Sequence, residues 1–141
     1  MKNFVRKLIN GALDNAKNDG DLELSFMPEI VVEKPKEEKF GDFSTSLAMS
    51  LAKSERRKPY EIAEILSRHL QYSDNSIASV RIAGPGFLNL TMNRSFFLER
   101  LLKVAEQPDR YGSSNAGQGK KVLLEFVSAN PTGPLHVGHG R

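Results

Sequence analysis

Two imidazoles at three-residue spacing, His136 and His139, with Gly138 between them, are the side chains best placed by type and interval to do chemistry. Residues three apart share one face of a helix, so both rings would point the same way. Upstream, the string SANPTGP at 128–134 holds two prolines and a glycine in seven residues, which forbids helix and ladder alike and predicts a shaped loop. Before it, residues 122–127 (VLLEFV) form an apolar run broken only by Glu125, the pattern of a buried strand. Strand, rigid loop and helix start put a site at the carboxyl end of a strand in an open α/β sheet. The first turn of such a helix has unpaired N–H groups and the positive dipole end, which suit an anion. Two imidazoles there donate hydrogen bonds to phosphate oxygens, and Gly138 removes a side chain where a flat base would lie.

Other readings compete at this point. A histidine pair at this spacing is also half a zinc site, but zinc takes three or four ligands, and the chain has no cysteine and one further histidine, His69. No protein-bound metal is expected. A pair of surface histidines without a role is the ordinary meaning of an isolated HxxH. A Walker-type phosphate loop is excluded, because no Gly-Lys-Ser/Thr follows the strand; the string GQGKK at 117–121 precedes it and reads as linker.

These residues need a scaffold, and the first 110 residues supply one. Phe4, Val5, Leu8, Ile9, Ala12, Leu13 and Ala16 recur at helical spacing, and Asn18, Asp19 and Gly20 stop the helix. Residues 30–33 (IVVE) read as a strand, and the mixed charges of 34–39 as a solvated loop. The string FGDF at 40–43 predicts a tight turn into a helix over 44–52, with Asp42 or Ser44 as its cap and Phe40 and Phe43 packed at its entry. Lys53, Arg56, Arg57 and Lys58 are the densest basic cluster. Cations at a helix end are favoured by the dipole without a ligand; phosphate contact is the competing reading. Pro59 opens a helix carrying Ile62, Ala63, Ile65, Leu66 and Leu70, with His69 near its end as a solvated or dipole-satisfied residue.

Residues 77–82 and 87–92 alternate and are joined by AGPG, so they predict a hairpin. Leu88, Leu90 and Met92 fall on one face and Phe87, Asn89 and Thr91 on the other. An aromatic ring beside an amide can stack on an unpaired base and read its edge; a plain hairpin with one exposed phenylalanine is the alternative. Asn93 or Ser95 then caps a helix through Phe96, Phe97, Leu98, Leu101, Leu102, Val104 and Ala105. The glycine- and serine-rich stretch 111–119 is a linker between domains 1–110 and 120–141.

Composition decides little. With 141 residues, 39% hydrophobic and 26% charged, the chain fits a soluble globular protein, and no apolar run approaches the roughly 20 residues of a membrane span. A secretory signal is missing and cysteine is absent, which suits a cytoplasmic protein. Net charge is +3, so a nucleic-acid surface must come from local patterning.

Read as a string, His136-Val-Gly-His139 resembles the His-Ile-Gly-His signature of class I aminoacyl-tRNA synthetases, with Val137 in the isoleucine place. The longer run from Glu125 to Arg141 resembles the bacterial arginyl-tRNA synthetase version, and the FGDF turn and the AGPGFLN hairpin at 83–89 are similar to the same family's N-terminal domain. The resemblance implies an arginine–tRNA ligase, with ATP and its Mg2+, L-arginine and tRNA(Arg) as ligands and a monomeric parent. It implies catalytic and ATP-binding roles for His136 and His139, adenine room at Gly138, arginine binding by Glu125, Ser128 and Asn130, and contact of Phe87 and Asn89 with the tRNA D-loop. A guanidinium asks for a carboxylate in bidentate geometry, which Glu125 supplies; a structural charge at the sheet edge is the other reading. Lys53, Arg56 and Arg57 are the phosphate candidates.

The expected fold is α+β: a two-layer domain of helices on a small sheet with an antiparallel hairpin, then the first strand and helix start of a truncated Rossmann-like catalytic domain. One strand and one helical turn cannot bury a sheet, so the chain alone is expected to be inactive and to self-associate through 122–127. A free-standing RNA-binding module without catalysis and a different class I synthetase are the alternatives.

Overall fold

A computed structural model describes residues 1–71, 75–125, 133, 134 and 136. Two units are distinguished, Met1–Glu106 and Gln107–Arg141. In the first, α1 (Lys2–Asn18), α2 (Leu47–Glu55), α3 (Pro59–Gln71) and α4 (Arg94–Glu106) pack with β1 (Phe43–Thr45), β2 (Ile77–Ala83) and β3 (Phe87–Met92). The sheet is antiparallel in the order β1-β3-β2. The hairpin strand β3 is therefore central, held on both sides.

Register follows from the turn. Ala83 faces Phe87, so Arg81 faces Asn89 and Val80 faces Leu90; on the other side Ser44 faces Asn89 and Phe43 faces Leu90. Opposed residues share a sheet face, so Phe43, Leu90 and Val80 lie on the inner side and Ser44, Asn89 and Arg81 on the outer. The inner side meets Val5, Ile9, Leu13, Leu47, Leu51, Ile62, Leu66 and Leu70 from three helices in one apolar core. Full burial of each such side chain contributes on the order of 1.5–3 kcal/mol, which fixes which face of the sheet turns outward.

Several local expectations change. The β-branched run at 30–33 contributes a single bridge, Glu33 with Ser44, through two backbone hydrogen bonds of 2.9 Å. The ladder has no room to grow: Pro35 has no N–H, and at the other end Ser46 is already the N-cap of α2. Ser44 and Thr45 lie in β1 rather than in a helix, and α2 begins at Leu47, whose N–H donates to Thr45 Oγ1 at 3.3 Å. Asp42 caps nothing; its carboxylate accepts the Met92 N–H at 2.8 Å, while its own N–H donates to the Leu90 carbonyl at 2.9 Å. Phe43 is buried, but Phe40 stays outside the core.

His69 is largely buried, not solvated, and bonds Asp21 across 3.0 Å, tying α3 to the segment after α1. That hydrogen bond is the first cause holding the Asp21 carboxyl below its ordinary value; partial burial opposes it, and the charges of Arg68, His69 and Arg57 assist. Asn93 uses its amide on the Asn75 and Ile77 carbonyls rather than on α4. On α4 only Phe96 is buried, in contact with Phe4 at 5.0 Å and beneath the Arg100 guanidinium at 3.4 Å, while Leu98, Leu101 and Leu102 remain exposed.

In the second unit, residues 122–125 carry no strand, and Val122, Leu123 and Leu124 are exposed. No helix among the described residues is long and apolar enough to cross a membrane.

Candidate nucleic-acid interface

The outer face of the hairpin opens onto a groove of about 420 Å3. Phe87 and Asn89 line it from β3, Ala83, Gly84 and Pro85 from the turn, and Lys34, Lys36 and Phe40 from the opposite loop. Phe87 is 39% exposed and Phe40 37%, so each offers part of a ring to solvent. Asn89 behaves differently from the expectation of an open edge: it is only 8% exposed. Pairing on both sides of β3 and the loop at 33–37 cover it.

The Asn89 amide makes no side-chain hydrogen bond to any described residue. Yet no fully enclosed polar side-chain atom lacks a partner among the described residues. Its polar atoms therefore keep their remaining exposure toward the groove. A nearly buried amide without a protein partner is costly unless something else completes its bonds. It presents a donor and an acceptor at the floor, beside a ring that can stack.

Charge around the groove is local. Ion pairs among the described residues are Lys39 with Glu37 at 2.7 Å, Arg68 with Asp21, and His69 with Asp21 and Asp19. Lys34, Lys36 and Arg81 take part in none of them. Arg81 sits directly opposite Asn89 on the same face.

The basic cluster lies next to the hairpin turn. Gly86, at φ +144°, packs so closely on α3 that a Cβ would stand 2.9 Å from the Pro59 carbonyl oxygen. Only glycine allows that approach, and it brings the turn against the residue that follows Lys58. Lys53, Arg56, Arg57 and Lys58 are exposed. Glu55, the acid in their midst, is turned away: its carboxylate accepts the Glu23 and Leu24 N–H groups at 2.9 and 3.0 Å. Arg56 takes the left-handed conformation, φ +53°, that closes α2.

Of the other residues singled out in the sequence, Glu125 and His136 are exposed and in no regular element. Gly138, His139, Ser128 and Asn130 lie outside the described residues. No described cluster of three or more His, Cys, Asp or Glu is arranged to hold a metal ion. The described residues thus assemble no nucleotide-triphosphate site, and what they do assemble is the hairpin groove. The sequence singled out Phe87 and Asn89 on this face and the basic cluster separately at a helix end, but not Lys34, Lys36, Phe40 or Arg81. For Arg81 the signal was available, since a turn joining Ala83 to Phe87 sets Arg81 opposite Asn89.

Comparison with known proteins decides the family. The sequence model of the arginyl-tRNA synthetase N-terminal domain matches residues 3–92. The chain belongs to the arginyl-tRNA synthetase family. Arginine–tRNA ligases of Geotalea uraniireducens (strain Rf4) and Thioalkalivibrio sulfidiphilus (strain HL-EbGR7) are each 45% identical to it over 141 residues, all of this chain and 25% and 24% of theirs. The chain thus spans about a quarter of the length of these relatives. Thermus thermophilus arginyl-tRNA synthetase superposes with a TM-score of 0.54 at 26% identity, covering 99% of this chain and 21% of that one. Arginyl-tRNA synthetase from Plasmodium falciparum shares the fold, with a TM-score of 0.60 at 12% identity over 72% of this chain and 18% of its own. The small α+β domain with its three-stranded sheet is therefore the N-terminal domain of this family.

Proposed function

We propose that residues 1–110 bind tRNA(Arg) through the hairpin groove, taking an unpaired D-loop nucleotide against Phe87 with its edge toward Asn89. The observation that supports this most is the Asn89 amide, nearly buried, without a side-chain hydrogen bond to any described residue, and lining the groove. Single-stranded RNA is read by this combination, with a π-face for any base and an amide for one edge. Lys53, Arg56 and Arg57 supply phosphate contacts beside the turn, a sequence-independent part of the affinity.

Residues 111–119 are the linker, and 120–141 open the class I catalytic domain of an arginine–tRNA ligase, Rossmann-like and cytoplasmic. In the complete enzyme the arginine carboxylate attacks the α-phosphate of ATP, with Mg2+ on the nucleotide, and releases pyrophosphate; the aminoacyl group then passes from the adenylate to the terminal adenosine of tRNA, releasing AMP. In it His136 and His139 donate to the phosphates, Gly138 makes room for adenine, and Glu125, Ser128 and Asn130 hold L-arginine. This chain alone is inactive, and the exposed residues 122–124 make it self-associate, so light scattering should rise above monomer mass with concentration.

The test is titration with tRNA(Arg), intact and with D-loop bases exchanged, at two salt concentrations. The D-loop change, Phe87→Ala and Asn89→Ala should each weaken binding. Binding that follows salt and ignores all three overturns the reading and leaves a basic patch. For the arginine assignment, ATP–pyrophosphate exchange with tRNA present, on a chain extended past Arg141, must depend on arginine; equal exchange with other amino acids refutes it.

A further inference from the structure

We infer that Phe40 is the second wall of a base sandwich completed by Phe87, and that Lys34 and Lys36 hold the phosphate adjoining the sandwiched nucleotide; this rests on the hairpin groove being the RNA site. Phe40 and Phe87 line the same groove, one from the loop and one from β3, and are exposed to nearly the same extent, 37% and 39%. They do not stack on each other: the aromatic ring contacts among the described residues are Phe4–Phe96 and Phe96–Phe97. A half-exposed ring at the core edge would ordinarily tuck against its neighbour. Here both rings face the groove instead.

The position of Phe40 is enforced. It ends a short 3-10 turn, Glu38–Phe40, closed by Gly41 N–H on the Glu38 carbonyl at 3.0 Å. Gly41 has φ +85°, and a Cβ there would stand 2.7 Å from the Leu90 carbonyl oxygen. Asp42 then fastens to Leu90 and Met92 of β3 through backbone and carboxylate. Both rings are thus referenced to one strand, Phe87 by belonging to β3 and Phe40 by this double attachment. Such a device is more than a solvated loop needs.

Charge complements the rings. Two acids, Glu33 and Glu37, also line the groove; Glu37 is neutralised by Lys39, whose ammonium also lies 5.0 Å from the Phe40 ring centre. Lys34 and Lys36 line the groove and are exposed with no ion pair among the described residues. An aromatic pair flanked by free ammonium groups fits one unstacked nucleotide with its phosphate, and does not fit an apolar peptide or a double helix, whose bases are not available for stacking.

The experiment uses this chain and a tRNA(Arg) transcript carrying 2-aminopurine at successive D-loop positions, with Phe87→Ala as the reference. Phe40→Leu keeps apolar bulk at an exposed position, so folding is preserved, and thermal melts check it. Phe40→Leu should weaken binding about fivefold or more and relieve the 2-aminopurine quenching, while Phe40→Tyr should bind like the parent. The Lys34→Ala/Lys36→Ala pair should lower the slope of log affinity against log salt by up to about 1.4. If Phe87→Ala weakens binding while Phe40→Leu stays within twofold, or the lysine pair leaves the slope unchanged, this inference fails and the hairpin reading stands. If Phe87→Ala itself has no effect, the hairpin reading fails and takes the sandwich with it.

Discussion

Replacing Gly41 with alanine probes the joint that sets the loop wall against β3. At φ +85° and ψ −164° the backbone lies in a region open essentially to glycine alone, and holding another residue there costs roughly 1–3 kcal/mol. The added methyl would also meet the Leu90 carbonyl oxygen at 2.7 Å and Thr91 Oγ1 at 2.9 Å. The threonine hydroxyl can rotate; the carbonyl is backbone of the central strand and cannot. Relief requires the turn to retreat, stretching the 2.9 Å bond from Asp42 N–H to Leu90, worth about 1 kcal/mol. The sum is about 3 kcal/mol, a large share of the roughly 5–15 kcal/mol that stabilises a small domain. For a unit of about 100 residues this lowers the melting temperature by roughly 12–24 °C. Urea and thermal melts followed by far-ultraviolet circular dichroism measure it. Gly11→Ala is the control: inside α1, its Cβ meets nothing within 4 Å, and it should raise stability by about 1 kcal/mol. A Gly41→Ala melt within a degree or two of the parent would refute the reasoning about the joint.

Two further outcomes follow from the polar contacts. Glu55→Ala removes both acceptors from the Glu23 and Leu24 amides, in a loop where Leu24 sits at φ +47°, and should cost about 2 kcal/mol in urea denaturation, while Glu55→Gln, retaining one acceptor, should cost less. Because the Asp21 carboxyl is lowered in the folded chain, its ionised form contributes stability above its ordinary value near 3.8, and that contribution is lost as pH falls through the folded value. Asp21→Asn should therefore be less stable than the parent at pH 6 and converge with it in acid; an equal gap in urea midpoints at pH 6 and pH 2 would contradict the His69 pairing.

Where local pattern and tertiary demand agree, the fold was readable from sequence. The 3.6-residue stripe from Phe4 to Ala16 became α1, and strict alternation across AGPG became the hairpin with Leu88, Leu90 and Met92 inward. Where a second segment claimed the backbone, the reading slipped. Ser44 looks like a cap and Thr45 like the first turn of an apolar helix, but β3 needed a partner on its free side and took them as β1. Asp42 looks like a cap for the same reason and instead answers the Met92 N–H fifty residues away. The apolar stripe of α4 predicts burial beyond what the described residues give, since only Phe96 finds full cover. At the candidate site, Phe87 and Asn89 were legible from alternation alone. Their opposing wall was not, because mixed charge at 34–39 carries no periodicity and the contact between Phe40 and the hairpin groove is made only by folding.

The central claim is that tRNA meets this domain at the hairpin groove. Backbone amide shifts of the isotope-labelled chain, followed as tRNA(Arg) is added, test it most directly. Perturbations clustered at residues 34–44 and 81–89, with a weaker set at 53–58, are the expected result. Shifts confined to 53–58, with Phe87, Asn89 and Arg81 unmoved, would contradict it.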